Sequence, residues 1–393
     1  MQQAIQEFML EPDQQEASDA IVSWARRAVT AGSGSHFTLA GLAGTGKTVL
    51  IKHTFDRLAA AGLPMVVATP TAKAGNVLRR KGMNNVVTLH KLLYRFTGLM
   101  QTDEGDELPQ FIDEGRWGVE RPRLIGVDEG SMVDKRAFDT LVGRGVPVLF
   151  VGDHGQLPPV GQDPGIMQNA DIYLEKVRRQ AEGSPIIGLA HRVRNGHIPT
   201  PDDADGDTLK VGRAGDADIA RIFVEQNYDA VVCARNATRI NLNRAIRRQF
   251  GRGEGIEVGD RVLCRLNDWV REAFNGESFV VEAVNSQPKS AGSDTVSVDL
   301  VGEPSPQFPD GQRLYNAQLY LPALYERKFL QEDMPRGSMK FQFGNALTCH
   351  AAQGSTIPRC MAVDEVVRGW DMRRFRYTAV TRASEALAVV LRS

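Results

Sequence analysis

Cysteine is scarce in this sequence, charge of one sign is not in excess, and no apolar run is long. The four cysteines, Cys233, Cys264, Cys349 and Cys360, lie far apart with no CxxC spacing. That spacing excludes a paired-thiol zinc site and a disulfide framework, and makes a reducing cytoplasm the expected compartment. No stretch reaches the roughly 18 apolar residues that a membrane span needs. Met1 to Leu10 carries Glu7 and no basic cluster ahead of an apolar stretch, so neither a targeting segment nor a membrane partner is expected. With 47 Lys and Arg against 48 Asp and Glu the net charge is −1. No global field draws the chain onto polyanions, and any affinity for nucleic acid has to come from local grooves.

What is present is enough apolar residue for burial along most of the chain, 42% hydrophobic with 24% charged over 393 residues, a length that calls for several domains. Short apolar runs at Phe37 to Ala40, Met65 to Thr69, Leu124 to Val127 and Val146 to Gly152 alternate with helical stretches, the pattern of a parallel sheet wrapped by helices. Tyr94 to Glu120 lacks a sustained period and reads as a small insert. A second α/β signal starts at Tyr228 to Ala234 and resumes at Asn345 to Cys349, Cys360 to Val363 and Ala386 to Leu391. It is split by a β-rich segment with strands at Arg261 to Arg265, Ser278 to Ala283 and Thr295 to Val301 and an Asn275-Gly276 turn. Pro199 to Asp218, acidic and Gly-rich, reads as a linker. The expected boundaries are 1–93 with 121–184 for a first core, 94–120 for its insert, 185–258 with 341–393 for a second core, and 259–340 for the β-rich insert.

Gly41-Leu-Ala-Gly44-Thr45-Gly46-Lys47-Thr48 follows an apolar strand and precedes a helical pattern, the setting in which glycine lets backbone N–H groups close around phosphate at a helix start. Gly44, Thr45 and Gly46 would cradle the phosphates of ATP, Lys47 would reach the β- and γ-phosphates, and the Thr48 hydroxyl would ligate Mg²⁺. Asp128, ending an apolar strand, supplies the second metal contact, and Glu129 is placed to polarise the attacking water. An acidic pair after a strand is weak alone; its pairing with the glycine-rich loop gives it meaning. The arginine-dense stretch Arg235 to Arg252, with Arg244, Arg247 and Arg248 at helical spacing, is either a basic nucleic-acid face or a solvated helix face.

Further motifs stand in a fixed order. Leu10-Glu-Pro-Asp-Gln14-Gln15 opens the chain's α/β pattern. Thr69-Pro70-Thr71-Ala72-Lys73 and Thr88-Leu89-His90 follow apolar strands. Gly152-Asp153-His154-Gly155-Gln156-Leu157-Pro158-Pro159 comes next, then Val177-Arg178-Arg179-Gln180. Leu347-Thr348-Cys349-His350-Ala351-Ala352-Gln353-Gly354-Ser355 and Tyr377-Thr-Ala-Val-Thr381-Arg382 complete the set. Together these residues resemble superfamily 1 helicases of the 5′-to-3′ branch, the RecD-type and Dda-like proteins, from Leu10 to the C-terminus. The resemblance implies two RecA-like P-loop-type cores, a wedge in the first and a small Src-homology-3-like barrel in the second.

The same resemblance implies that Gln14 reads adenine and that Gln156 senses the γ-phosphate. It implies that Arg179 reaches the phosphates, that Gly354 belongs to the nucleotide site, and that Arg382 is an arginine finger. Thr69, Pro70, Thr71, His90, Thr348 and His350 would line a single-strand track. Read alone, the threonines and proline are ordinary helix caps, and Arg382 is a surface charge. Three departures stand out: Val177-Arg178 precedes Arg179 where an aromatic is usual, Gly130 replaces a small apolar residue, and Ala351 replaces lysine. The expected activity is an ATP- and Mg²⁺-dependent translocase and helicase on single-stranded DNA with fork or tailed duplexes as substrates. It would act as a monomer in the cytoplasm of a bacterial or phage-infected cell, alongside single-strand-binding or replication proteins. Phe96, Phe111 and Trp117 are candidates for the wedge. The rival readings are a strand-dependent ATPase that displaces bound proteins and a nucleotide-switched single-strand clamp.

Overall fold

A computed structural model describes residues 10–101, 107–112, 117–178, 183–286, 294–326 and 334–392, with side chains described outside 95–116. The described residues form two compact units. The first runs to Pro70 and resumes over Val77–Arg95 and Asp113–Ser184; the second comprises Thr71–Asn76, Phe96–Ile112 and the chain from Pro185. No described helix is long and apolar enough to cross a membrane.

The first unit begins with α1 (Pro12–Ala31), whose Pro at the first turn and left-handed Gly32 at its end are ordinary start and stop signals. It continues through β1 (His36–Gly41), α2 (Lys47–Ala60), β2 (Val66–Thr69), α3 (Ala72–Arg80), β3 (Val86–Thr88) and α4 (Leu89–Leu93). After a two-stranded ribbon, β4 (Arg95–Gln101) and β5 (Glu107–Ile112), nearly all of which belongs to the second unit, the first unit resumes with β6 (Ile125–Val127), α5 (Lys135–Gly143), β7 (Val148–Gly152) and β8 (Ile172–Leu174). The sheet order is β3-β2-β6-β7-β1-β8, every pair parallel. Helices cover both faces, as a sheet of near-continuous Val, Ile, Leu and Phe requires. One face packs on Ile21, Leu50, Leu58 and Met65, the other on Leu92, Leu141 and Phe150; each such side chain contributes about 1.5–3 kcal/mol by its burial.

The second unit starts with α6 (Pro185–Arg194), β9 (Leu209–Arg213), α7 (Asp216–Glu225), β10 (Ala230–Cys233) and α8 (Asn236–Gln249). The chain then leaves for the antiparallel strands β11 (Arg261–Cys264), β12 (Ser278–Ser286), β13 (Thr295–Gly302) and β14 (Arg313–Tyr320). After the short helix α9 (Leu321–Leu324), β15 (Ser338–Met339) and β16 (Phe341–Phe343) complete a six-stranded sheet in the order β15-β14-β13-β12-β11-β16. The return brings β17 (Ala346–Thr348), α10 (Cys349–Ala352), β18 (Ile357–Asp364), α11 (Met372–Val380) and β19 (Ala383–Leu391), and the parallel order β17-β10-β18-β19-β9. The insert has its own core around Phe279, Leu300 and Phe341.

Two expectations change. Pro199 to Asp218 is not only linker: Leu209–Arg213 is a strand, paired with β19 from Leu387↔Leu209 to Leu391↔Arg213. The arginine-dense stretch divides by burial. Arg247 donates to Asp260 at 2.9 Å, and Arg239 pairs with Glu326 at 2.5 Å, buried ties from α8 to the β-rich insert. Arg244 and Arg248 stay exposed on α8.

Candidate nucleotide site

The motif residues of the first unit gather because the sheet is parallel. β1, β2, β3, β6 and β7 all run the same way. The residues that follow them therefore emerge at one edge: the glycine-rich loop after Gly41, Thr69-Pro70, Thr88 to His90, Asp128-Glu129, and Asp153 to Gln156. That carboxyl edge is where open α/β sheets bind ligands. The register Ala40↔Gly152 sets the loop directly beside Asp153.

Gly44 and Gly46 adopt left-handed backbone, φ 80° and 77°, a conformation glycine accepts without strain. Gly46 is the N-cap of α2, so Lys47 and Thr48 are its first residues. The Lys47 ammonium donates to the carbonyls of Gly41 and Leu42 at 2.8 Å each and lies 3.7 Å from Asp153. Buried Thr45 donates to the Leu42 carbonyl at 2.8 Å, folding the loop back on itself. Glu129 has φ 55°, strained for a residue with a Cβ, and it caps the short turn Gly130–Met132. Burial and then the charge of Glu129 push the Asp128 carboxyl up to about 7, against the opposing pull of Lys47 and Lys81. Two carboxyl groups so close, with hard oxygen donors at Asp128 and Thr48, fit a divalent cation.

Gly130, the departure noted in the sequence, has a packing reason. A Cβ there would meet the Met167 Cε at 3.0 Å and the Val151 carbonyl oxygen at 3.1 Å. Met167 fills the space that a side chain at 130 would need.

Gln156 is 6% exposed and its Oε1 is buried without a hydrogen-bond partner. Gln14 is 5% exposed; its amide accepts from the Glu11 N–H at 3.2 Å and donates to the Thr45 and Gly46 carbonyls at 3.2 and 3.5 Å. Gln15, by contrast, is exposed and donates to Asp19 at 3.0 Å. Arg179 lies outside the described residues. Arg178, to which sequence reading gave no role, donates through Nε to the Thr45 carbonyl at 3.1 Å and through Nη2 to Asp13 at 2.7 Å. Its partner is 165 residues away, so no local pattern signals it.

Thr71 and Thr348 each accept a backbone N–H three residues on, at 3.2 and 3.4 Å, as helix caps do. Thr69 is buried and donates to the Val87 carbonyl at 3.5 Å, and Pro70 follows it. Burial holds both His90 and His350 below the ordinary imidazole range, so both are neutral at neutral pH. Their rings lie 4.5 Å from Tyr94 and 5.1 Å from Trp370. Trp117 packs on the first unit's core, with the Arg144 guanidinium 4.9 Å from its ring. It is therefore not a free wedge surface. The side chains of Phe96 and Phe111, on β4 and β5, lie outside the described residues.

In the second unit Thr348 ends β17 at the carboxyl edge, whereas Arg382 immediately precedes β19 at the opposite edge. Arg382 is 5% exposed. It donates to the Thr378 carbonyl at 3.0 Å, the Thr381 hydroxyl at 3.1 Å and the Ser355 carbonyl at 3.3 Å. Those three acceptors are neutral oxygens. Gly354, in left-handed conformation at φ 70°, makes the turn that presents Ser355.

A family model described as an AAA domain matches residues 9–212, and another described as a UvrD-like helicase C-terminal domain matches residues 343–390. The chain belongs to the AAA-domain family. It is homologous to the Dda and Pif1 helicases of superfamily 1, the group its ordered motifs resemble. The ATP-dependent DNA helicase Dda of Enterobacteria phage T4 is 29% identical over 218 residues, 50% of this chain and 46% of that protein. The ATP-dependent DNA helicase PIF1 of Saccharomyces cerevisiae is 28% identical over 212 residues, 46% of this chain and 23% of that protein. The matched stretches thus span less than half the length of these relatives. A crystal structure of a Bacteroides Pif1 bound to single-stranded DNA superposes over 98% of this chain and 92% of its own, with a TM-score of 0.57 at 19% identity. The fold is shared across both units.

Proposed function

We propose that this chain is an ATP-dependent motor that moves along single-stranded DNA, 5′-to-3′, and unwinds duplexes ahead of it. The observation that carries the reading is the glycine-rich loop, the Asp128-Glu129 pair and the Asp153 to Gln156 loop on one carboxyl edge. Its relatives, Dda and PIF1, are named ATP-dependent DNA helicases.

In this reading the loop from Gly44 to Gly46 and Lys47 bind the ATP phosphates, and Thr48 and Asp128 hold Mg²⁺. The metal, when bound, offsets charge on the β- and γ-phosphates. Glu129 takes the proton of the attacking water. Gln156 reports the presence of the γ-phosphate, and Gln14 faces the base. Arg179 supplies positive charge that the transferring phosphoryl group requires, and Arg382 is the proposed arginine finger. Hydrolysis then depends on conformation, which is how a nucleotide cycle becomes stepping. Thr69, Pro70, Thr71, His90, Thr348 and His350 form the strand track, and Gly354 completes the nucleotide site. The β4–β5 ribbon serves as the pin at a fork, and the β-rich insert as an additional Src-homology-3-like grip. We place the protein in a bacterial or phage-infected cytoplasm, acting as a monomer with single-strand-binding or replication proteins.

The test is ATP hydrolysis with and without a single-stranded oligonucleotide, on wild type and Glu129→Gln, followed by unwinding of 5′- and 3′-tailed duplexes. Strand-stimulated hydrolysis lost in the variant, with unwinding of the 5′-tailed substrate alone, is expected. Stimulated hydrolysis without unwinding of either substrate would leave a protein-displacing ATPase.

A further inference from the structure

We infer that Arg178 is a positioning residue of the phosphate-binding loop, acting with Asp13 and Gln14 from the start of α1. The inference rests on the loop being the ATP site.

The Thr45 carbonyl accepts two hydrogen bonds from outside its own loop: the Arg178 Nε at 3.1 Å and the Gln14 Nε2 at 3.2 Å. A peptide unit is planar and trans, so its C=O and the following N–H point in opposite directions. Fixing the Thr45 carbonyl toward α1 therefore turns the Gly46 N–H to the opposite side, the donor that a glycine-rich loop offers to phosphate. The Arg178 backbone adds a third tie, donating to the Gly44 carbonyl at 2.9 Å.

The brace is anchored electrostatically. The Arg178 Nη2 donates to Asp13 at 2.7 Å, and the guanidinium is the largest influence holding the Asp13 carboxyl below its ordinary range. The Arg178 side chain is 13% exposed and that of Asp13 39%, so water screens the pair from the Asp13 side, and the aligned, charge-assisted hydrogen bond contributes more than the charge alone. The glycine at 46 is part of the same arrangement: a Cβ there would lie 2.5 Å from the Gln14 Nε2 and 3.5 Å from the Arg178 Cγ. The loop can press against its brace only because that position has no side chain.

The planar fork also explains why arginine is needed. Nε reaches the loop carbonyl while Nη2 reaches the carboxylate, and a lysine ammonium at the end of a flexible stem cannot hold both. A residue that merely packed would keep its effect when replaced by methionine, which fills similar volume without donors.

The test compares Arg178→Met, Arg178→Lys, Asp13→Asn and the double variant Asp13→Asn with Arg178→Met. Steady-state ATP hydrolysis is measured with saturating single-stranded oligonucleotide, together with the Kd for a fluorescent ATP analogue. Arg178→Met is expected to raise KM and Kd about tenfold with kcat within about twofold of wild type. Arg178→Lys should fall between, and the double variant should be no worse than Arg178→Met alone, since both changes break one chain of contacts. Unchanged KM and Kd in Arg178→Met, full recovery in Arg178→Lys, or fully additive losses would each overturn the inference. Wild type that binds the analogue without turning it over would sink the motor reading and leave the Kd series to decide Arg178. Wild type that binds no analogue would overturn both.

Discussion

Asp153, buried at the end of β7, holds its carboxylate 3.7 Å from the Lys47 ammonium. Lysine at the start of α2 is thus kept ready at the loop mouth before any phosphate arrives. Lys47→Ala is expected to lower ATP hydrolysis at least 100-fold and to reduce the melting temperature, because Asp153 loses its cation. Adding Asp153→Asn should restore the melting temperature and not the activity. Calorimetry and a phosphate-release assay check both halves, and retained turnover in Lys47→Ala would mean the loop is not the hydrolytic site.

Glu129 holds a backbone conformation, φ 55°, that a side chain disfavours by roughly 1 kcal/mol or more. Strain kept at a position is best explained by the side chain it presents. Glu129→Gly should therefore melt no lower than wild type while hydrolysing ATP at least 100-fold more slowly and still binding it. A variant that loses both stability and binding would show that Glu129 is structural.

The packing of Met167 over Gly130 and Gly152 predicts an order of tolerance. Gly130→Ala meets the movable Met167 Cε at 3.0 Å but also the Val151 carbonyl at 3.1 Å, and should cost about 1 kcal/mol. At Gly152 a Cβ would lie 2.5 Å from the Met167 Sδ and 2.9 Å from the Ser131 backbone nitrogen, so Gly152→Ala should cost more, about 3 kcal/mol. Denaturant unfolding of the two variants ranks them; equal costs would contradict the geometry.

Arg382 is held by neutral oxygens of Thr378, Thr381 and Ser355. Arg382→Ala is expected to leave affinity for an ATP analogue within a few fold of wild type and to lower kcat on the order of 10³-fold, the scale of a lost arginine finger. A full-rate variant in a stopped-flow phosphate assay would remove that role and leave Arg382 as a tie between α11 and the Gly354 turn.

Within the two parallel sheets most strands legible in the sequence are interior and the unread ones lie at edges, with β17 a legible edge strand; in the β-rich insert the interior strand β14 went unread. The interior runs read as strands, such as Phe37 to Ala40 and Val146 to Gly152, are buried on both faces, hence continuously apolar. Val86–Thr88, Ile172–Leu174 and Leu209–Arg213 went unread, and each lies at the edge of its sheet. Edge strands are short and partly polar because one side meets no neighbour; Leu209–Arg213 carries a lysine, a glycine and an arginine in five residues and so resembles the linker around it. In the nucleotide site, sequence spacing reveals contacts made within one strand-loop-helix unit, hence Lys47, Thr48 and the Asp128-Glu129 pair. It is blind to Arg178 and Asp13, whose meeting depends on how β8 returns beside β1.

The interrupted second sheet has a consequence for the order in which the molecule is made. In the first unit β2 finds β3 across a short connection, while β1 at His36–Gly41 waits for β7 at Val148–Gly152 and β8 at Ile172–Leu174. In the second, β10 at Ala230–Cys233 lies between β17 at Ala346–Thr348 and β18 at Ile357–Asp364, and β9 waits for β19 at Ala383–Leu391. Closing such long loops is slow. During synthesis the nucleotide-binding half can be complete while β9 and β10 still have open edges, and the β-rich insert, with a core of its own, can fold in the interval. The nascent chain would then hold one finished unit, one finished insert and two strands awaiting partners, a state in which chaperone protection of the second unit matters most.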